Sequence, residues 1–423
     1  MSPAPTSAAA TWCRGDMNRD LDSSPVALFD EAVLASPYPA YRRLRAEGAV
    51  HYEPSLDMFF VLDDRTIHEV LDDPSTYSSN LMAVLQRDGA GVTAPGTVVP
   101  QGLDVLAIAD PPTHTAHRRL VQPALSKRAV QNLGGAIDHE MVIRIEELVA
   151  LGGGDWMVAV ATPVPVVIIS RILGLPSVDA DRLLGWSDAS VELLSGVAGP
   201  DRMVAIAAAI AEFMAYLGEC LASEPVGLIG DIGAEVGDRL SHDEAVSMLL
   251  QLVTAGTEST TSLLGSAVRR LAADAELQHR LRDDPGLLDN FVEEILRLES
   301  PFRGHFRVAT AEARLGDRTI PAGGRLMLLW GSANRDPRKH AEPDRLDLAR
   351  PSTSGHHLAF GHGIHFCVGA HLARLEARIA LERLLELSDE LRLSADHEDV
   401  YRPSLLVRRL ERVDIEVISS RSP

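Results

Sequence analysis

Cys367 is the side chain best placed to do chemistry in this sequence. It sits in the run Phe360-Gly361-His362-Gly363-Ile364-His365-Phe366-Cys367-Val368-Gly369, and a long amphipathic segment follows at once. A helix start offers unpaired N–H groups and the positive end of its dipole to the sulfur, which favours thiolate over thiol. Gly361, Gly363 and Gly369 let the backbone approach a large flat ligand and take up positive φ where required. Cys13 and Cys220 lie far off in sequence, and no Cys or His stands at zinc spacing from Cys367. This argues against a zinc site, whereas a lone thiolate fits a haem iron held by one axial sulfur.

Two further groups carry chemical potential. The first is Ala255-Gly256-Thr257-Glu258-Ser259-Thr260-Thr261-Ser262, a small and polar break in an otherwise apolar helical stripe. Glycine costs about 1 kcal/mol in a helix interior, and hydroxyls there bond back to the backbone and bend the helix. Such a notch, with a carboxylate beside hydroxyls, can house a ligand and move protons; a plain solvated face fits the same residues equally well. The second is Glu294-Ile295-Leu296-Arg297, an acid and a base on one helix face. Taken alone it is an ordinary i,i+3 pair worth a few tenths of a kcal/mol.

The elements that must position these groups are mostly helical. Leu and Ala recur at three- and four-residue spacing in 201–222, 241–274, 286–298 and 368–388. Ser241 and Glu244 form a capping-box pattern at the start of the notch helix. Strand-like runs stand at His51–Tyr52, Phe59–Leu62, Arg314–Leu315, Leu326–Leu329 and Val413–Val417. The expected fold is mainly α with a small β-rich side, in a single large domain over 26–423. Residues 1–25 read as a disordered tail, with Met17 as an alternative start. Asn80–Leu106, with little periodicity, reads as a long loop, functional or disordered.

Composition narrows the function. The formal charge of −20 argues against a nucleic-acid partner. Three scattered cysteines suggest no disulfide framework and a reducing cytoplasm. The longest apolar stretch is read as Met157–Ile169, broken by Pro163 and Pro165; it is too short to span a bilayer, so no membrane is expected.

The cysteine run resembles, position for position, the haem-binding signature of the cytochrome P-450 family. The notch resembles that family's oxygen-activating helix: Ala255, Gly256 and Glu258 match, while Ser259 stands where threonine is usual. Glu294 and Arg297 match its Glu-x-x-Arg pair, about 70 residues before the cysteine. Ser36-Pro37-Tyr38-Pro39 and Gly331-Ser332-Ala333-Asn334-Arg335-Asp336-Pro337 extend the resemblance over roughly 30–417. It implies a cytochrome P-450 fold, a haem b cofactor (iron protoporphyrin IX) and Cys367 as the proximal iron ligand. Ala255, Gly256, Phe360 and Gly369 would border the haem. The propionates would meet His114, Arg118, Arg307 and His365. The Glu-x-x-Arg pair would lock onto a third basic residue, Arg345, with Arg350 as runner-up.

The implied reaction places one atom of O₂ into a small organic substrate, an oxidation or hydroxylation. Glu258 and Ser259 would deliver protons, with Thr260 as a substitute hydroxyl. No flavin or iron–sulfur motif occurs in the sequence, so electrons are expected from a ferredoxin and its NAD(P)H-dependent ferredoxin reductase. Arg119, Lys127 and Arg374 are the expected docking cations, and His117 reads as a surface residue. Gln251, Thr254, Arg303, His305 and Tyr401 are expected at the substrate, favouring a natural product rich in hydrogen-bonding groups. The competing assignment turns Arg303 to solvent and gives His305 to a propionate. Two other classes fit the same residues: a haem protein that binds a ligand without turnover, and a coupling or peroxide-using enzyme.

Overall fold

The computed structural model describes residues 28–80, 84–88, 93–96, 104–176, 179–223, 226–350, 356–420. The expected tail at 1–25 lies outside them. The architecture is a helical body with a β-rich side, organised around one long central helix, His242–Ala272. Its length, about 46 Å at 1.5 Å per residue, lets it cross the whole body. Ser241 caps it: the Ser241 hydroxyl accepts from Glu244 N while Glu244 accepts from Ser241 N. Val246, Leu249, Val253, Leu263, Leu264 and Val268 are buried along it. Around it pack Pro163–Leu173, Ala180–Leu193, Pro200–Ala222 and the helix after the cysteine, Ala370–Leu387.

The β side is a five-stranded sheet in the order Val50–Glu53, Met58–Val61, Arg325–Leu328, His305–Ala309, Tyr77–Ser78. Only the Met58–Val61 and Arg325–Leu328 pair is parallel. A second sheet orders Glu390–Leu393, Asp414–Ile418 and Gly153–Asp155. The strand-like runs read from sequence fall in or beside strands.

Three expectations change. Asn80–Leu106 is not a bare loop: Val84–Arg87 and Thr93–Gly96 pair as an antiparallel hairpin. Met157–Ile169 is two elements, a π-helical turn Met157–Ala161 and a helix that starts at Pro163. A proline suits a helix start, where its missing N–H costs nothing. The longest apolar helix among the described residues is instead Pro200–Ala222, which meets the length and hydropathy for a bilayer span. It lies against the body through Ile206, Phe213, Tyr216, Leu217 and Leu221.

Candidate active site

One cavity of about 260 Å³ lies between the central helix and the cysteine loop. The next cavity holds about 40 Å³, room for little more than a few waters, so the first is the candidate site. Cys367 forms its floor on one side. Ala255, Gly256, Ser259 and Thr260 face it from the other. The cysteine loop turns through Gly361 and Gly363, at φ 68 and 69. A Cβ on Gly363 would sit 3.1 Å from Leu71 O, so this turn requires glycine in both conformation and space. Burial pushes the Cys367 thiol up. The backbone N–H of Gly369, then Arg118 and Arg374, and last the N–H of Ala370 oppose this, but the thiol stays above its ordinary value. The start of Ala370–Leu387 therefore does supply donors to the sulfur.

The notch is not uniform. Ala255 is open to the cavity, whereas a Cβ on Gly256 would lie 3.0 Å from Ile169. Gly256 thus serves close packing of the central helix on Pro163–Leu173 as well as the cavity wall. Ser259 Oγ donates to Ala255 O at 2.7 Å, and Thr257 Oγ1 donates to Val253 O at 2.8 Å. Thr260 lines the cavity with its hydroxyl uncommitted to any described residue. Glu258 does not face the cavity. Its carboxylate turns to Arg409, 2.5 Å away, and Arg409 also meets Asp188 at 2.9 Å. Asp188 in turn pairs with the half-exposed Arg402. Burial holds the Glu258 carboxyl above its ordinary value, against the pull of Arg409.

The four groups expected at propionates converge on this cavity. The His114 and His365 rings lie 4.0 Å apart, and His365 Nε2 is 2.9 Å from Ser79 Oγ. Arg118 makes no hydrogen bond or ion pair with any described residue. Arg307 donates only to Phe306 O and to the His305 ring, and burial draws it down to about 10. Two half-buried or buried guanidiniums without carboxylate partners are expensive to keep, and an anionic ligand would compensate both.

The Glu-x-x-Arg pair is fully buried. Arg297 donates from Nε and Nη2 to the two Glu294 oxygens at 2.7 and 2.9 Å. Burial pushes the Glu294 carboxyl up, but Arg297 and Asp347 N more than reverse this, to about 2. The third member is Arg350, not Arg345. Arg350 Nε lies 3.4 Å from Glu294 Oε2, with the side chain nearly closed to solvent. The Arg345 side chain points outward to Glu342, and only its carbonyl accepts from Arg297. Sequence spacing could not separate two arginines five residues apart on an irregular stretch.

Four of the expected substrate contacts do not reach the cavity as substrate groups. Thr254 lies about 100° around the helix from Ala255, and its hydroxyl is buried elsewhere without a partner. Arg303 is buried but donates to Leu34 O. Gly304, between Arg303 and the strand, lies so close to its neighbour that a Cβ on it would sit 2.2 Å from Leu328 O. Tyr401 lies under the Arg408 guanidinium at 3.8 Å and borders the small second cavity. Gln251 does line the main cavity, but its amide is spent on the backbone of Val105 and Ala107. His305 alone of the five presents a free polar edge, beside Arg307. Sequence reasoning also missed His117, which is buried rather than on the surface, and Arg409, whose pairing with Glu258 spans the chain and leaves no local signal. Of the docking cations, Arg119 and Lys127 are exposed, while Arg374 is engaged by Glu293 at 2.7 and 2.8 Å and stacks on Phe360.

Fold and site together set one cavity between a cysteine at a helix start and a long helix bearing small residues and hydroxyls. The chain belongs to the cytochrome P450 family. The family model for Cytochrome P450 matches residues 228–404. Cytochrome P450 144 of Mycobacterium tuberculosis is 37% identical over 400 residues, covering 92% of this chain and 91% of that protein. Vitamin D(3) 25-hydroxylase of Pseudonocardia autotrophica is 34% identical over 399 residues, covering 92% and 95%. The solved structure of a mutant of P450 EryK with erythromycin B superposes at a TM-score of 0.82, with 29% identity over 94% of this chain and 99% of that one. The protein is accordingly an oxidoreductase of the P450 monooxygenase family, whose members bind haem b. The residues present fit that group: one cysteine sulfur with helix-start donors, an open Ala255 opposite, and two arginines without carboxylate partners among the described residues.

Proposed function

We propose that this protein oxidises a bulky, largely apolar natural product, with Cys367 as the iron ligand. The observation that carries this is the opposition of Cys367 to Ala255, Ser259 and Thr260 across a single cavity. Haem held by a thiolate supplies the oxygen-splitting chemistry, one atom going to substrate and the other to water. Arg118, Arg307, His114 and His365 hold the propionates. Phe360 and Gly369 border the sulfur, and Arg350 locks the Glu294–Arg297 pair beside the loop.

The remaining work of the chain is to position substrate and move protons. With Gln251, Arg303 and Tyr401 turned to other partners and Thr254 turned off the cavity, the substrate wall is formed chiefly by groups such as Leu106, Leu252, Leu263 and Phe302. This favours apolar bulk over the hydrogen-bonding substrate expected from sequence. Arg409 stays charged and holds Glu258 and Asp188 as a carboxylate pair; Glu258, turning from Arg409 toward the cavity, would pass a proton to the Ser259 or Thr260 hydroxyl. A ferredoxin, reduced by an NAD(P)H-dependent reductase, supplies electrons in the cytoplasm, with Arg119 and Lys127 as exposed contacts. The test is substrate-dependent NADH and O₂ consumption with a surrogate ferredoxin and reductase. Oxidised product at a fixed ratio to NADH is expected. Ligand binding without consumption of either would contradict the enzymatic assignment of these residues.

A further inference from the structure

The short turn Leu106–Ile108 forms part of the cavity wall, and its position is set from outside. Gln251, on the central helix, reads two backbone groups of this turn with one side-chain amide. Its Oε1 accepts from Ala107 N at 3.2 Å, and its Nε2 donates to Val105 O at 3.1 Å. The residue between them, Leu106, stands at φ 44, a conformation that a non-glycine residue keeps only when its surroundings hold it. A third contact closes the arrangement: Leu106 N points to Nδ1 of the buried His117, at 3.5 Å. Three successive residues are thus gripped by two side chains from two different helices, Thr113–Val121 and His242–Ala272. Leu106 and Ala107 both line the cavity.

The chemistry of this grip is specific. Only a primary amide offers an acceptor and a donor at the spacing of a C=O and an N–H two residues apart. Glutamate would set an oxygen against the Val105 carbonyl, and leucine or methionine would fill the space with neither bond. We infer that Gln251 is a positioning residue which, with His117, pins Val105–Ala107 over the central helix and thereby sets the size of ligand that the cavity admits. This rests on the haem-bearing reading of the cavity and adds the element that decides its selectivity.

The test compares two iron-binding probes, imidazole and 4-phenylimidazole, on the holoenzyme by stopped-flow Soret change. Imidazole is small enough to pass a pinned wall, whereas 4-phenylimidazole must displace Leu106. Gln251→Met should raise the association rate of 4-phenylimidazole by about tenfold, the scale of two lost hydrogen bonds, while changing that of imidazole by less than about twofold. Leu106→Ala, which keeps both backbone bonds, should give the same change in the ratio of the two rates. A loss of packing alone would move both probes together. Should Gln251→Met fail to retain haem, Gln251→Glu and Leu106→Ala carry the comparison. An unchanged ratio in the variants would overturn the clamp. Absence of any azole shift in the parent protein would contradict the haem site itself, and the clamp with it.

Discussion

Glu258 is bound by Arg409: its Oε2 lies 2.5 Å from Arg409 Nη1, with both side chains almost closed to solvent. The carboxylate one residue before the cavity hydroxyl is therefore joined to the surface by a chain of charges ending at Arg402. Glu258→Gln should lower turnover by about 100-fold or more, the usual scale for a lost proton-transfer group being about 10²–10⁴, with substrate affinity unchanged. Steady-state kinetics beside spectral titration would separate the two. Arg409→Ala should cost more in folding, about 3–5 kcal/mol, because it leaves a carboxylate buried without its partner; thermal melts check this.

The hydroxyl pair gives a second test. Ser259 is back-bonded to Ala255 O, while the Thr260 hydroxyl at the cavity has no partner among the described residues. Serine lacks the methyl that restricts χ1, so its hydroxyl can swing from the carbonyl into the cavity. Ser259→Ala should lower product formed per NADH and raise free hydrogen peroxide, and Ser259→Thr should keep or improve coupling. Unchanged coupling in Ser259→Ala, with loss in Thr260→Ala, would move the role to Thr260.

The two arginines near the Glu-x-x-Arg pair should behave differently. Arg350→Ala removes a buried ion-pair partner of Glu294 and should destabilise by about 1–3 kcal/mol, with easier haem loss. Arg345→Ala removes only an exposed pair with Glu342 and should fall within about 0.5 kcal/mol of the parent. Melting temperature and haem content after dilution would decide.

How much was legible in the sequence divides along physical lines. The cysteine loop, the notch and Glu294–Arg297 were readable because their function depends on local spacing and on glycine. Helix positions were readable because burial against a central helix imposes a 3.6-residue period. Thr254 failed on a regular helix, where one position from Ala255 is about 100° around the axis and off the cavity; the other failures are of two kinds. Arg303, Tyr401 and Arg345 were misplaced because irregular segments carry no period from which to infer a direction. Arg409, Arg350 and His117 were missed or undervalued because their partners, Glu258, Glu294 and Leu106, lie on other elements, and single-chain patterning carries no sign of such pairings.

Glu376 supplies a pH prediction. It is fully buried on the helix after Cys367, its Oε2 has no partner, and burial alone pushes it up to about 8. The native state thus binds a proton that the unfolded chain loses above the ordinary value of 4.5. Stability from this group is present below that value and is lost as pH rises toward 8, at up to about 1.4 kcal/mol per pH unit. Glu376→Gln should therefore raise the melting temperature at pH 8, with the gain shrinking to nothing near pH 4.5. A gain independent of pH would contradict the assignment.

The central claim is that Cys367 holds the iron, and the absorption spectrum of the reduced protein under CO tests it most directly. The parent protein should show the band of a thiolate-ligated haem, and Cys367→His should move it to the imidazole-ligated position and abolish oxygenation. A thiolate band that survives in Cys367→His would contradict the account and direct attention to Cys220 or Cys13.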